Sequence, residues 1–172
     1  MRVFVFSLTL LLLQQLPNTA NAKIWRVNNT GIPADFTSAN AASSSSSVVN
    51  GDTLHIEPSG VSYGDLNINK RLVVIGNGYF LGDASANLNP NLQANTGRSI
   101  LNGVGVGPGG NGTVIMGITC TDFVIAANDV VFKRNNAISI QIGTDFVVNN
   151  SQILQNYVQW MAGTLGVGTN MV

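Results

Sequence analysis

The sequence predicts an all-β chain wound as a parallel β-helix. Three observations lead there. First, the tetrapeptide Thr121-Asp122-Phe123-Val124 returns letter for letter as Thr144-Asp145-Phe146-Val147, and a degenerate copy follows as Thr169-Asn170-Met171-Val172. Successive copies start about two dozen places apart, a period that belongs to solenoids and arrays. Second, short β-branched and aromatic runs stand between Asn, Asp and Gly. Examples are Val130-Val131-Phe132 and Ile153-Leu154-Gln155, each running at once into asparagine. Third, no 3.6-residue periodicity competes with them.

A unit of about two dozen residues with three short strands cannot bury its own apolar face. Stacked units can, with each strand paired in parallel to its counterpart one coil on, at ~4.8 Å per coil. Asparagine suits the turns, because it tolerates the left-handed backbone region and its amide can bond the next amide in a stack. A β-sandwich would ask for hairpin loops of two to five residues and no recurring tetrapeptide. A 16-residue spacing also links Thr113–Met116, Asp129–Phe132 and Asp145–Val148, but it superposes strands with different downstream turns. The longer period is therefore preferred.

Taken in order, residues 1–22 have the pattern of a secretory signal peptide. Arg2 is the positive start, Val3 to Leu13 the apolar stretch, and Ala20-Asn21-Ala22 the small-x-small cleavage site, so the mature chain is expected to begin at Lys23. The apolar stretch is too short for a stop-transfer helix, and no transmembrane span is expected in the mature chain. Loss of Arg2 leaves seven basic residues against eight acidic ones, a net charge of −1. With charged residues at 9% and no basic patch, nucleic acid is not an expected partner. Cys120 is alone, so no disulfide helps the fold, and a small buried residue is expected there.

Residues 23–50 are expected to form an opening strand and a cap. Ile24, Arg26 and Asn28 alternate with Trp25 and Val27, and a turn follows at 29–33. Thr37 is the expected N-cap of a short helix whose Ala39, Ala41 and Ala42 favour helix, fraying through Ser43–Ser47. Such a helix would cover the open end of a solenoid. Coils are expected over 51–172. Leu54 and Ile56 face one way and Thr53, His55 and Glu57 the other; Leu66, Ile68 and the 72–75 run complete the first circuit. Residues 79–98 read as a long loop. Residues 104–111 are Gly-rich but lack the Gly-Lys-Ser/Thr of a phosphate cradle. Val114 to Thr119 is the expected main strand of the second coil.

The stretch from Asn50 to Phe80 resembles the N-terminal entry of secreted bacterial right-handed parallel β-helix proteins, the pectin-lyase-like superfamily. Gly51, Asp52, Thr53, Tyr63, Lys70, Leu72 and Gly76 stand at the positions that carry the resemblance. It covers residues 23–80, with 112–172 as generic coils. It implies a right-handed helix of about four coils here. It implies much less about activity, since the superfamily includes lyases, hydrolases, epimerases and adhesins. It also implies further coils beyond Val172, an uncapped C-terminal end and a truncated chain.

Candidate chemistry is sparse. Asp122, Asp145 and Asn170 share a repeat position, and if they stack, Asp122 and Asp145 are candidate Ca²⁺ ligands or an acid pair ~5 Å apart. His55 and Glu57 are a conceivable acid–base pair, with Lys70 and Arg71 nearby, and Lys133-Arg134 a conceivable basic site. Trp160, Tyr157 and Tyr79 are candidate carbohydrate contacts. No catalytic residue and no cofactor other than Ca²⁺ is assigned. The expected function is a secreted or cell-surface scaffold, adhesin-like, contacting polysaccharide. The alternative is the N-terminal part of a polysaccharide lyase or glycoside hydrolase whose catalytic residues lie in further coils.

Overall fold

The computed structural model describes residues 22–78, 97–143, 147–163 and 170–171. Strands β1 (Ile24–Val27), β2 (Thr53–Ile56), β3 (Leu66–Ile68), β4 (Val73–Ile75), β5 (Ser99–Val106) and β6 (Val114–Met116) form the first half. Strands β7 (Ile118–Ile125), β8 (Val131–Lys133), β9 (Asn136–Ile142), β10 (Gln152–Leu154), β11 (Tyr157–Gly163) and β12 (Asn170–Met171) form the second. Among the described residues one α-helix, α1 (Ala39–Ser44), precedes β2. The chain alternates between two sheets. One runs β1-β2-β4-β6-β8-β10-β12, the other β3-β5-β7-β9-β11. Strand partners within both sheets are parallel, and the result is a β-solenoid of about four turns.

Alternation decides which side chains fill the interior. Leu54, Ile56, Val74, Ile115 and Phe132 point in from the first sheet; Leu66, Ile68, Val104, Val106, Phe123, Ile125, Ile140 and Ile142 point in from the second. Phe123 and Phe132 meet there as stacked rings, with centroids 3.8 Å apart. Burial alternates along β5 and β7 until Asn102-Gly103 and Thr121-Asp122, where two successive residues face outward. That slip bends the five-stranded sheet and gives the solenoid a third side.

The tetrapeptide repeat does not mark the coil register. Phe123 pairs with Val104 on one side and Ile140 on the other. Residues 144–146 lie outside the described residues, but Ile140 already occupies the place expected of Phe146, so this coil closes well short of the tetrapeptide period. In the other sheet Val114, Val131 and Gln152 are partners, and the second of these two steps takes up more chain than the first. The discarded 16-residue spacing thus picked the right strands, β6 and β8, one place out of step. Val114–Thr119 is also not one strand. Gly117, at φ +73°, turns a corner inside it. A Cβ on Gly76 would lie 2.4 Å from the Gly117 carbonyl oxygen, so two coil backbones touch there.

Asparagines line the corners, as the turn chemistry suggested. At one corner, Asn135 Oδ1 accepts from Ile118 N–H, and Asn156 Oδ1 accepts from Asn135 N–H and Nδ2–H. At the next, Asn111 Oδ1 accepts from Asn128 N–H and Asn128 Oδ1 from Asn149 N–H. These side chains satisfy backbone donors that a corner takes out of the ladder.

Helix α1 is capped by Ser38, not Thr37; the Ser38 hydroxyl accepts from Ala41 N–H. It ends at Ser44, where the serine run loses helix propensity. Ala39, Ala42 and Ser43 are buried against β1, β2 and β3, so the helix covers this end of the solenoid as expected. Lys70 Nζ donates to the carbonyls of Ser45 and Val48 and ties the following loop down.

Candidate functional site

The most structured outward surface is that of the five-stranded sheet. Gly103, Asp122, Ser139 and Trp160 stand in register on successive rungs. Beside them run Asn67, Gly105, Val124, Gln141 and Ala162. Rungs are ~4.8 Å apart, so Trp160 sits about 10 Å above Asp122. The column starts from Asp65, whose Oδ1 accepts from Gly103 N–H at 3.0 Å. Ser139 is fully buried and donates its hydroxyl to Asp122 Oδ1, fixing that half-buried carboxylate.

Below Asp122 the surface is stepped. Gly105 and Gly107 have no side chains, and the amides of Asn67 and Asn69 lie over them. A Cβ on Gly107 would come within 2.2 Å of Asn69 Oδ1. An open groove of about 210 Å³ results, bordered by Asn67, Asn69, Val124 and Ala126. Its chemistry is amide and aliphatic, with the Asp122 column at its side.

Trp160 is 49% and Tyr157 55% exposed, both on β11. They are not one platform. Tyr157 pairs with Asn136 and Trp160 with Ser139, on opposite sides of the sheet's bend. Tyr79 lies outside the described residues. Of the expected column of Asp122, Asp145 and Asn170, Asn170 pairs with Gln152 in the other sheet and so does not stack on Asp122, and Asp145 lies outside the described residues. The rung neighbours of Asp122 are a glycine and a serine, so no second carboxylate stands one rung away. Among the described residues no three His, Cys, Asp or Glu side chains converge on one point.

Among the other candidates, Glu57 and Arg134 are engaged in structure. Glu57 bridges β1 to the first coil, accepting from Arg26 Nε–H and, at 2.6 Å, from Asn28 Nδ2–H. The Arg26 hydrogen bond, with that from Asn28, outweighs burial and holds Glu57 below the usual carboxylate range. His55 is in register with Arg26 and Ile75. Lys133 projects from β8 between Met116 and Leu154, and Arg134 Nε donates to Gln155 Oε1. Burial, with a smaller push from Asp122, raises the Cys120 thiol to about 12, so it is unreactive at neutral pH.

Sequence reading missed Asp52, Asp65 and Ser139. Asp52 had a signal, its place in the resemblance; Ser139 had none, because only the register brings it to Asp122. Asp52 is 1% exposed. Burial pushes its carboxyl up, but Lys23 N–H, Trp25 Nε1–H and Val49 N–H bond it and leave it below its ordinary value. Asp52 and Glu57 both have depressed values. Their contribution is therefore present above the unfolded carboxylate range, near pH 4, and lost as pH falls through their folded values. Acid titration followed by circular dichroism should show stability falling below about pH 4, with Asp52→Asn flattening that dependence.

Among the described residues no helix is long and apolar enough to cross a membrane. Comparison with protein-family models, curated proteins and solved structures finds no match for the chain.

Proposed function

We propose that the chain is a secreted or cell-surface β-helix scaffold whose five-stranded sheet offers polysaccharide a contact face. The observation that carries this is Trp160, half exposed and in register with Ser139 and Asp122, with Gln141 in the neighbouring column. A sugar ring presents a C–H face to an indole and hydroxyls to amides and carboxylates, and this surface has both kinds of partner. The rungs repeat at a fixed spacing, which suits a repeating polymer. The export signal at 1–22 and the resemblance to pectin-lyase-like entry coils support the location and the ligand class.

Affinity electrophoresis of residues 23–172 in gels containing neutral or uronate polysaccharides tests the reading. Retardation by at least one polymer is expected. Trp160→Ala should weaken it about tenfold, the loss of ~1.4 kcal/mol at an exposed aromatic contact, with the unfolding midpoint unchanged. Migration unaffected by every polymer, or retardation that survives Trp160→Ala, overturns the proposal.

A further inference from the structure

Asp52 has a second role to offer. Lys23 is the residue that the cleavage motif Ala20-Asn21-Ala22 makes the first of the mature chain. Its backbone nitrogen lies 2.8 Å from Asp52 Oδ1. The other carboxylate oxygen takes Trp25 Nε1–H at 2.8 Å and Val49 N–H at 3.0 Å. The strand is anchored at this same residue, since Thr53 N–H donates to the Lys23 carbonyl. Ala22 and Lys23 are themselves exposed, so the bond between them is accessible in the folded chain.

We propose that removal of the leader after Ala22 completes the fold, by turning the Lys23 nitrogen into an ammonium paired with the buried Asp52 carboxylate. The step is hydrolysis by a signal peptidase. Water adds across the Ala22–Lys23 amide, Ala22 leaves as a carboxylate, and the freed Lys23 amine takes up a proton. Before the cut, Asp52 receives a neutral N–H at this place. After it, the same nitrogen is a cation at the same distance, and a charge-assisted bond is about twice as strong as a neutral one. The only other charged side chain bearing on Asp52 among the described residues is that of Lys23, whose Nζ stands 3.3 Å from the centre of the Trp25 ring. It is present in both forms and does not distinguish them.

Such a lock stabilises the mature chain over its precursor. It leaves the uncut chain the looser of the two, which favours passage through an export channel. The proposal rests on the export reading for the cut but not for the lock, and the two are tested apart.

For the lock, chain 23–172 with a free Lys23 amine is compared with the same chain carrying Ala20-Asn21-Ala22 ahead of it, and with an Nα-acetylated chain 23–172. Differential scanning fluorimetry at pH 6.5 should place the free-amine form roughly 5 °C above both. Pairing raises the amine's pKa above its free value of about 8, so the gap is full below pH 8 and closes as pH rises through the folded value. In Asp52→Asn the gap should vanish. If that variant does not fold, closure of the gap at high pH in the unmutated chains decides instead. Equal midpoints at pH 6.5, or a gap that persists at pH 11, overturns the lock. For the cut, N-terminal sequencing of chain recovered outside the expressing cell should begin at Lys23. A different first residue overturns the processing step, and complete retention inside the cell overturns the export reading, leaving the lock to the melting comparison.

Discussion

Phe123→Ala lowers the stability of the solenoid by about 3–5 kcal/mol, the largest effect expected of any single truncation here. Phe123 is fully buried and sits mid-stack, with Val104 and Ile140 on the adjacent rungs. Its ring lies against that of Phe132, at 3.8 Å between centroids and an interplanar angle of 16°. Removing it deletes the transfer term of a whole aromatic ring and leaves a cavity inside coils that the ladders on both sides hold in place. Urea denaturation followed by circular dichroism measures the loss. The outward neighbour Val124, on the same strand, provides the contrast, and Val124→Ala should cost less than about 1 kcal/mol. A loss below about 1 kcal/mol for Phe123→Ala would mean that the two sheets do not share one interior. A fall in the denaturant slope together with the midpoint would instead show the coils unfolding in separate blocks, as solenoids can.

Asn135→Ala costs about 3 kcal/mol, nearly as much, for a different reason. Asn135 is completely buried. Its Oδ1 accepts from Ile118 N–H at 2.9 Å, and its Nδ2 donates to the Ile115 carbonyl at 3.1 Å and to Asn156 Oδ1 at 3.2 Å. Truncation leaves the Ile118 N–H without its partner in the interior, at ~1–3 kcal/mol, and takes one hydrogen bond each from the Ile115 carbonyl and Asn156 Oδ1. Asn135→Asp keeps the acceptor but sets a carboxylate against the Ile115 carbonyl, so it should not rescue the loss at neutral pH. Hydrogen exchange at the Ile118 amide is the local readout. Unchanged protection in Asn135→Ala would show that the backbone, not the side chain, holds this corner.

Much of the interior was legible beforehand. In residues 53–75 the alternation of Leu54, Ile56, Leu66, Ile68, Leu72 and Val74 with polar neighbours is a local property. A strand with period-two patterning has one way to bury its apolar half. The register between coils is not local. It depends on how much chain each corner takes up, and in the first sheet the step from Val114 to Val131 is shorter than the step from Val131 to Gln152. A letter-for-letter repeat therefore proved a poor ruler. Thr121-Asp122-Phe123-Val124 is a piece of strand, and the residues stacked on it from Ser139 to Gln141 share none of its letters.

The candidate surface divides along the same line. Trp160 and Tyr157 could be singled out because large aromatic side chains near Asn-rich turns are conspicuous in any order of reading. Their separation by the bend in β11, and the grip of Ser139 on Asp122, follow only from the stacked register. By itself the sequence determined the all-β class, the inward faces of the first coil, the asparagine corners and the covering helix, because each arises from the conformational preferences of neighbouring residues. The tertiary structure alone decided which coil positions touch, and so that Asp122 meets Ser139 and that Asp52 meets the Lys23 nitrogen. Contacts between such distant places in the chain are set by corner lengths summed along it, and no local preference records that sum.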